Sequence, residues 1–143
     1  MRAFPLTLLG ISAVLGATMA RAELPPWVYG EQQRQAPVVL RMAVEEDVQH
    51  AGDLHLQARV LQVIRQPKTG HIGTGQRIWL VYAVPGPRQL PMVGPAPLPL
   101  LSAGDKTTAW LQPIPGTKAT FAPAAGGRSF GPSMEDIQDP GAP

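Results

Sequence analysis

Cysteine is absent from the 143-residue chain. This absence excludes disulfides, cysteine-ligated zinc, iron–sulfur clusters, thiol redox chemistry and cysteine nucleophiles. It also excludes anchoring of the chain as a lipoprotein through an acylated cysteine. An oxidising compartment permits disulfides but does not require them, so the absence does not argue against export.

The first 22 residues have the three-part pattern of a secretory signal peptide. Arg2 supplies a positive start, residues 3–17 carry no charge, and Ala20-Arg21-Ala22 places small residues at the two positions that a signal peptidase reads. Cleavage is predicted before Glu23, with cleavage after Ala20 as the close alternative. An uncleaved anchor is the other interpretation, but Pro5 interrupts an apolar run that is shorter than the ~20 residues needed to cross a bilayer. The protein is therefore predicted to be periplasmic or secreted, with no stable membrane span after cleavage.

Charges are few, and cleavage leaves them balanced. The chain has 12 basic and 10 acidic residues; Arg2 and Arg21 leave with the signal, so ten of each sign remain. No cluster of Lys and Arg is left that would follow a phosphate backbone, which argues against a nucleic-acid partner. The remaining 121 residues suffice for one domain that buries about two thirds of its unfolded surface.

The mature chain shows no helical period of useful length. Residues 23–36 are predicted to be an irregular lead-in, because Pro25 and Pro26 oppose a regular start. Apolar residues then alternate with a period of two over 38–44 and 54–64, which predicts two strands, and further strands are predicted over 77–82, 107–112 and 119–122. The acidic run 45–47 either ends the first strand or carries it past the edge of the core. The alternation slips near Leu61, which indicates a bulge or a sharp coiling of the strand, either of which lets the sheet bend toward closure.

Proline and glycine mark the connections between these strands. Residues 51–53 predict a turn, and residues 85–99 hold six of the 17 prolines, which favours a polyproline II segment that crosses the barrel. Strand 77–82 is apolar on both faces and is expected to be central. The sequence thus predicts an all-β domain over residues 37–130, a small five-stranded OB-like barrel with a Pro-rich crossing loop and irregular termini. Residues 131–143 are predicted to be a flexible tail.

Four features in the order of the predicted strands and turns resemble a known fold. They are a Val-rich first strand, a bent second strand (residues 58–63), a strand that follows Gly75, and the turn Leu101-Ser102-Ala103-Gly104 before Ala109-Trp110-Leu111. Over residues 38–121 the chain resembles the secreted netrin/TIMP-like form of the OB barrel. The disulfides of that family are missing here, as is the N-terminal cysteine with which TIMPs reach a protease zinc. Metalloprotease inhibition by that mechanism is therefore not implied.

Three residues are predicted to bind a ligand: Trp79, Trp110 and Arg128. OB-type barrels bind along one sheet surface, where both tryptophans would form an aromatic face together with Tyr82 and Phe121. Packing of these rings in the core is the alternative. Arg128 follows two glycines, a setting in which a guanidinium either holds its own loop or grips an anion.

Two other patterns indicate different chemistry. His50, Asp53 and His55 are the ligand types that zinc and similar divalent ions prefer, although a solvated turn and strand surface is the ordinary setting for such residues. Residues 127–131 match the Gly-x-Ser-x-Gly motif around Ser129, but only 12 residues follow and none is a histidine, so the helix and the acid and histidine that this motif needs are missing.

We therefore expect an exported, non-enzymatic interaction or accessory module of the bacterial cell envelope, whose partner is an envelope protein or a small ligand. No catalytic residue and no cofactor is assigned. A periplasmic small-ligand or metal-binding protein that uses His50, Asp53 and His55 is the alternative. A hydrolase on Ser129 is the least favoured hypothesis.

Overall fold

The computed structural model describes residues 24–84 and 97–141. These residues form a helix, five strands and a short 3₁₀ helix: α1 Pro26–Gln35, β1 Val38–His50, β2 Asp53–Arg65, β3 Arg77–Ala83, β4 Lys106–Pro113, β5 Thr120–Pro123 and the 3₁₀ helix Gly126–Arg128. The predicted signal peptide and residues 85–96 of the predicted Pro-rich loop lie outside the described residues, so both remain predictions. Within the described ranges, no helix combines the length and the hydropathy needed to cross a bilayer.

The five strands form a closed barrel. Their order around it is β1-β2-β3-β5-β4, with β4 pairing back to β1. All neighbours are antiparallel except β3 and β5, which run parallel through Trp79–Thr120 and Leu80–Phe121. The predicted all-β OB-like barrel is confirmed. Strand β3 is not central, however, because every strand of a closed barrel has two neighbours, and Trp79 on its outer face is exposed.

Strands β1 and β2 form a long hairpin whose β1 arm extends past the end of β4, whereas β2 stays paired with β3 as far as Asp53. Its turn consists of Ala51 and Gly52, both with positive φ (53° and 89°). Two positive φ values match the right-handed twist of the strands that the turn joins. Strand β1 pairs with β4 only from Val38 to Ala43, so the hairpin from Glu46 onward extends beyond that ladder. The acidic run thus carries β1 past the edge of the core.

The predicted bulge is confirmed, and it occurs twice in β2. The β1–β2 register passes over Leu61 and Ile64, since Met42 pairs with Val60 and Leu40 with Val63. Both unpaired side chains are exposed, at 38% and 52%. Each extra residue bends β2 and thereby helps the small sheet to close.

The barrel interior is filled with apolar side chains from alternate positions of every strand. Members of this core are Val38, Leu40, Met42, Val44, Leu54, Leu56, Ala58, Val60, Ile78, Leu80, Tyr82, Leu101, Ala109, Leu111, Phe121 and Phe130. Burial of these side chains is the main source of stability, at about 25 cal/mol per Å² of apolar surface. The alternation predicted for β1 and β2 therefore identifies the core-facing residues of these two strands.

The prediction of an irregular lead-in is corrected by helix α1. Pro26 lies in its first turn, where a proline is tolerated because the missing N–H would have no intrahelical partner. The following Glu-Gln-Gln-Arg-Gln run consists of good helix formers. Glu31 accepts hydrogen bonds from Arg34 (2.6 Å) and Gln35 (3.0 Å), pairs with the helical spacing of three and four residues.

The first part of the predicted flexible tail is held against α1 in the structure. The backbone N–H of Met134 donates to Gln33 Oε1 (2.6 Å), and Arg34 Nη1 donates to the carbonyl oxygen of Glu135. A Cβ added at Gly30 would collide with the carbonyl oxygen of Met134, so the two segments pack backbone to backbone. We call α1 together with residues 132–137 the terminal clasp.

Candidate functional site

Trp110 has a packing role rather than the ligand-binding role predicted for it. It lies on the outer face of β4 and is 1% exposed, because the terminal clasp and residues 124–125 cover it. Its indole N–H donates to Glu135 Oε2 (3.2 Å), and the other carboxylate oxygen of Glu135 accepts from Arg65 Nη1 (2.8 Å). Arg65 in turn donates to the carbonyl oxygen of Gln33 (2.6 Å), in the last turn of α1. The ring of Trp110 is thus closed off from solvent.

Arg128 packs against the terminal clasp. Its guanidinium carbon lies 5.7 Å from the centre of the Tyr29 ring, within the range of a cation–π interaction. The carbonyl oxygen of Arg128 accepts a hydrogen bond from Gln33 Nε2 (2.9 Å). The structure therefore supports the first of its two predicted functions, which is to hold its own loop.

Ser129 is fully buried, and its hydroxyl both accepts and donates a hydrogen bond. Ser129 Oγ accepts from the backbone N–H of Ala125 (2.8 Å) and donates to the carbonyl oxygen of Gly126 (2.8 Å). These bonds close the 3₁₀ turn that carries Arg128. The geometry gives this serine a structural role and gives no support to the hydrolase hypothesis.

The histidine and aspartate pattern lies at the tip of the β1–β2 hairpin. His50 pairs with Asp53 across the turn, and the rings of His50 and His55 are 6.4 Å apart at a steep angle. Across the described ranges, no three His, Cys, Asp or Glu side chains are arranged to hold a metal ion. The geometry thus gives no support to the metal-binding alternative.

Trp79 is the accessible member of the predicted binding set. Its side chain is 44% exposed on the outer face of β3, and its backbone N–H donates to the carbonyl oxygen of Ala119 (2.9 Å). It therefore lies beside the β4–β5 loop, whereas Trp110 and Arg128 pack against the terminal clasp. The three predicted residues do not form one site.

A cavity of about 500 Å³ lies at the end of the barrel opposite the hairpin tip. Its lining residues come from the start of β1, the β2–β3 loop, the end of β4, the β4–β5 loop and β5: Val38, Pro67, Thr69, Gly70, His71, Ile72, Gln76, Pro113, Thr117, Lys118, Ala119 and Phe121. Phe121 and Val38 also belong to the core, so the cavity floor is the end of the packed interior. This is the candidate functional site.

No family profile and no curated protein matches this chain. The resemblance to netrin/TIMP-like barrels therefore remains a prediction from the sequence.

Local hydrogen bonds hold the two loops that form the cavity. Gln66 makes two bonds with the backbone of Ile72 (3.0 and 3.1 Å), which closes the β2–β3 loop. In the β4–β5 loop, Thr117 Oγ1 donates to the carbonyl oxygen of Ile114 (2.6 Å). Ala119 has a φ of 55°, which is unfavourable for a side chain with a Cβ. Strain of this kind is commonly found in ligand-binding loops.

Charge in this barrel is separated between its two ends. Neither loop at the cavity contains Asp or Glu, whereas Lys68, His71 and Lys118 lie in these loops. The opposite end carries Glu46, Asp47, Asp53 and Asp105, with Lys106 beside them. A cavity end with this composition favours an apolar group that bears negative charge.

Proposed function

We propose that this chain is an exported, non-enzymatic binding module of the bacterial cell envelope, and that the barrel-end cavity holds an apolar partner segment flanked by carboxylates. The observation that carries the proposal is the cavity itself. Its floor is apolar, and its rim has lysine without an opposing carboxylate.

The size of the cavity supports a binding role. A volume of about 500 Å³ lies within the ~300–1,000 Å³ that ligand pockets occupy, and such pockets are apolar with a few convergent polar groups. Here the apolar walls include Ile72, Pro113 and Phe121. The polar residues of the lining include His71, Thr117 and Lys118.

The chemistry of the lining supports binding over catalysis. Acid–base catalysis needs titratable groups whose environments shift their pKa values apart. Among the described residues that line the cavity, His71 and Lys118 are the only titratable ones, and both are on exposed loop positions. No carboxylate is within this set, and no group in it is placed to activate the hydroxyls of Thr69 and Thr117 as a paired acid and base would.

Export of the module is supported by the first 22 residues, which have the order of charge, apolar run and small residues that a signal peptidase recognises. Expression of the full chain in a bacterium, followed by periplasmic extraction and intact mass, tests this part. We expect a chain that begins at Glu23 or Arg21. Retention in the membrane at full mass would contradict it.

The mature protein from that preparation tests the site. The probe is a dye-labelled peptide, Gly-Glu-Leu-Leu-Glu-Gly, followed by fluorescence anisotropy. One control peptide has lysines in place of the glutamates, and the other has serines in place of the leucines. We expect both controls to bind at least tenfold more weakly than the probe.

Two matched variants locate the binding. Lys118→Glu places a carboxylate on the cavity rim and is expected to weaken probe binding at least tenfold, which corresponds to about 1.4 kcal/mol. Lys106→Glu makes the same change at the opposite end of the barrel and is expected to have no effect. A Thr69→Trp variant should block the cavity sterically. Equal effects of Lys118→Glu and Lys106→Glu, or no binding of the probe at millimolar protein, would overturn the proposal.

A further inference from the structure

The tip of the β1–β2 hairpin has the chemistry that the cavity favours. Val48 is 57% exposed, the highest value among the large apolar side chains described. Glu46, an exposed carboxylate, lies on the same face of β1 as Val48, and exposed Asp47 lies between them on the other face. Burial of this side chain against a partner would contribute about 25 cal/mol per Å² of apolar surface removed from water.

The hairpin tip is held in one shape. Its ladder continues to His50–Asp53, next to the two-residue turn. Asp47 Oδ1 accepts a hydrogen bond from the backbone N–H of Ala103 (3.0 Å), which fixes β1 to the loop before β4. A rigid element loses little conformational entropy when it binds, so the tip is preorganised for docking.

The two ends of the barrel are complementary. The hairpin end presents four carboxylates against one lysine, and the cavity end presents Lys68 and Lys118 with no carboxylate in either loop. Opposite charge brings the two surfaces together, and burial of Val48 against Ile72 and Phe121 would add an apolar contact.

We infer that the hairpin tip of one copy of this chain docks into the barrel-end cavity of a second copy, with Val48 in the cavity and Glu46, on the same face of β1, directed toward Lys68 and Lys118. This inference rests on the proposed binding role of the cavity and names its partner. The two surfaces lie at opposite ends of the molecule, so the contact is heterologous. Repetition of such a contact gives open chains rather than closed dimers.

Sedimentation velocity over a concentration series of the mature protein tests the inference. We expect the wild type to form dimers, trimers and longer species as concentration rises, and to return to monomers in 0.5 M salt, because salt screens the exposed charges. Val48→Asp removes the apolar tip, and Lys118→Glu reverses the charge of the cavity rim. Each variant alone is expected to associate at least tenfold more weakly than the wild type. Lys106→Glu makes the hairpin end more acidic and is expected to maintain or strengthen association.

A mixture of the two defective variants is the decisive measurement. Val48→Asp keeps an intact cavity and Lys118→Glu keeps an intact hairpin tip, so their equimolar mixture should form one-to-one dimers and nothing longer. Since both substitutions are at exposed positions, unchanged melting temperatures will show that the variants fold. A wild type that stays monomeric, or a mixture that stays monomeric, overturns the inference. Retained binding of the acidic probe peptide in that case would leave the proposed function intact.

Discussion

Gln33 is the side chain on which the terminal clasp depends most, and we predict that Gln33→Ala destabilises the domain strongly. The residue is fully buried, although it is polar and lies on a surface helix. Its side-chain nitrogen donates to the carbonyl oxygens of Arg128 (2.9 Å) and Pro132 (3.4 Å), and its oxygen accepts from the N–H of Met134 (2.6 Å). One side chain thus joins α1, the 3₁₀ turn and the tail.

The expected size of the effect follows from these bonds. Truncation leaves two strongly bonded backbone groups, at Arg128 and Met134, without a partner, and each such buried group costs about 1–3 kcal/mol. We therefore expect a loss of about 2–4 kcal/mol from a domain whose total stability is of the order of 5–15 kcal/mol. With a urea dependence of about 1–3 kcal/mol per molar, the unfolding midpoint should fall by roughly 1–2 M.

Urea unfolding followed by tryptophan fluorescence measures this loss. Gln35→Ala is the matched control, because Gln35 lies on the same helix but its side chain is exposed and donates to Glu31 rather than to a buried backbone group. The control should cost less than about 0.5 kcal/mol. Gln33→Met, which keeps the volume but removes the hydrogen bonds, should lose nearly as much as Gln33→Ala. A Gln33→Met variant as stable as the wild type would refute the reasoning.

Two further predictions concern charge and the hairpin turn. Burial opposes the charge of Glu135, but hydrogen bonds from Arg65 and Trp110, with the charges of Arg65 and Arg34, outweigh it and lower its pKa. A lowered pKa stabilises the folded state at pH values above the unfolded pKa of about 4.3, and this stabilisation is lost as the pH falls through the folded pKa. The wild type should therefore lose more stability than Glu135→Gln between about pH 5.5 and 3. Equal losses of unfolding free energy in urea would contradict this. Ala51→Gly removes a Cβ from a residue with a φ of 53° and should stabilise the hairpin by about 0.5–1 kcal/mol. Ala83→Gly, which lies in a strand, should instead destabilise the domain. A lower melting temperature for Ala51→Gly would contradict the strain argument.

The barrel strands could be predicted because the patterns that indicate them lie within short stretches of sequence. Alternation at 54–60 identifies the core face of β2, and the slip at Leu61 locates a bulge that the register confirms. The two-residue turn of the first hairpin is signalled by Gly52. Each of these patterns depends on neighbouring residues in one strand, which is why the sequence alone reveals them.

Helix α1 was missed because its buried face is not apolar. The residues buried along it are Tyr29, Gly30 and Gln33, which give no period of large hydrophobic side chains. The signal that was available is a proline in the first turn followed by residues of high helix propensity. Its stability comes from contacts with residues about 100 positions later in the chain, which a local pattern does not contain.

The position of the candidate site depends on where α1 and residues 132–137 pack against the barrel. In many OB barrels one outer sheet surface is open to ligands. Here α1 and residues 132–137 cover Trp110 on the outer face of β4, so that part of the surface is taken up by the protein itself. The cavity depends on two loops that are about 40 residues apart in sequence, and this juxtaposition has no counterpart in any local motif. Because the clasp closes one side, the barrel ends are where exposed apolar groups and unbalanced charge occur together, and there we expect partners to bind.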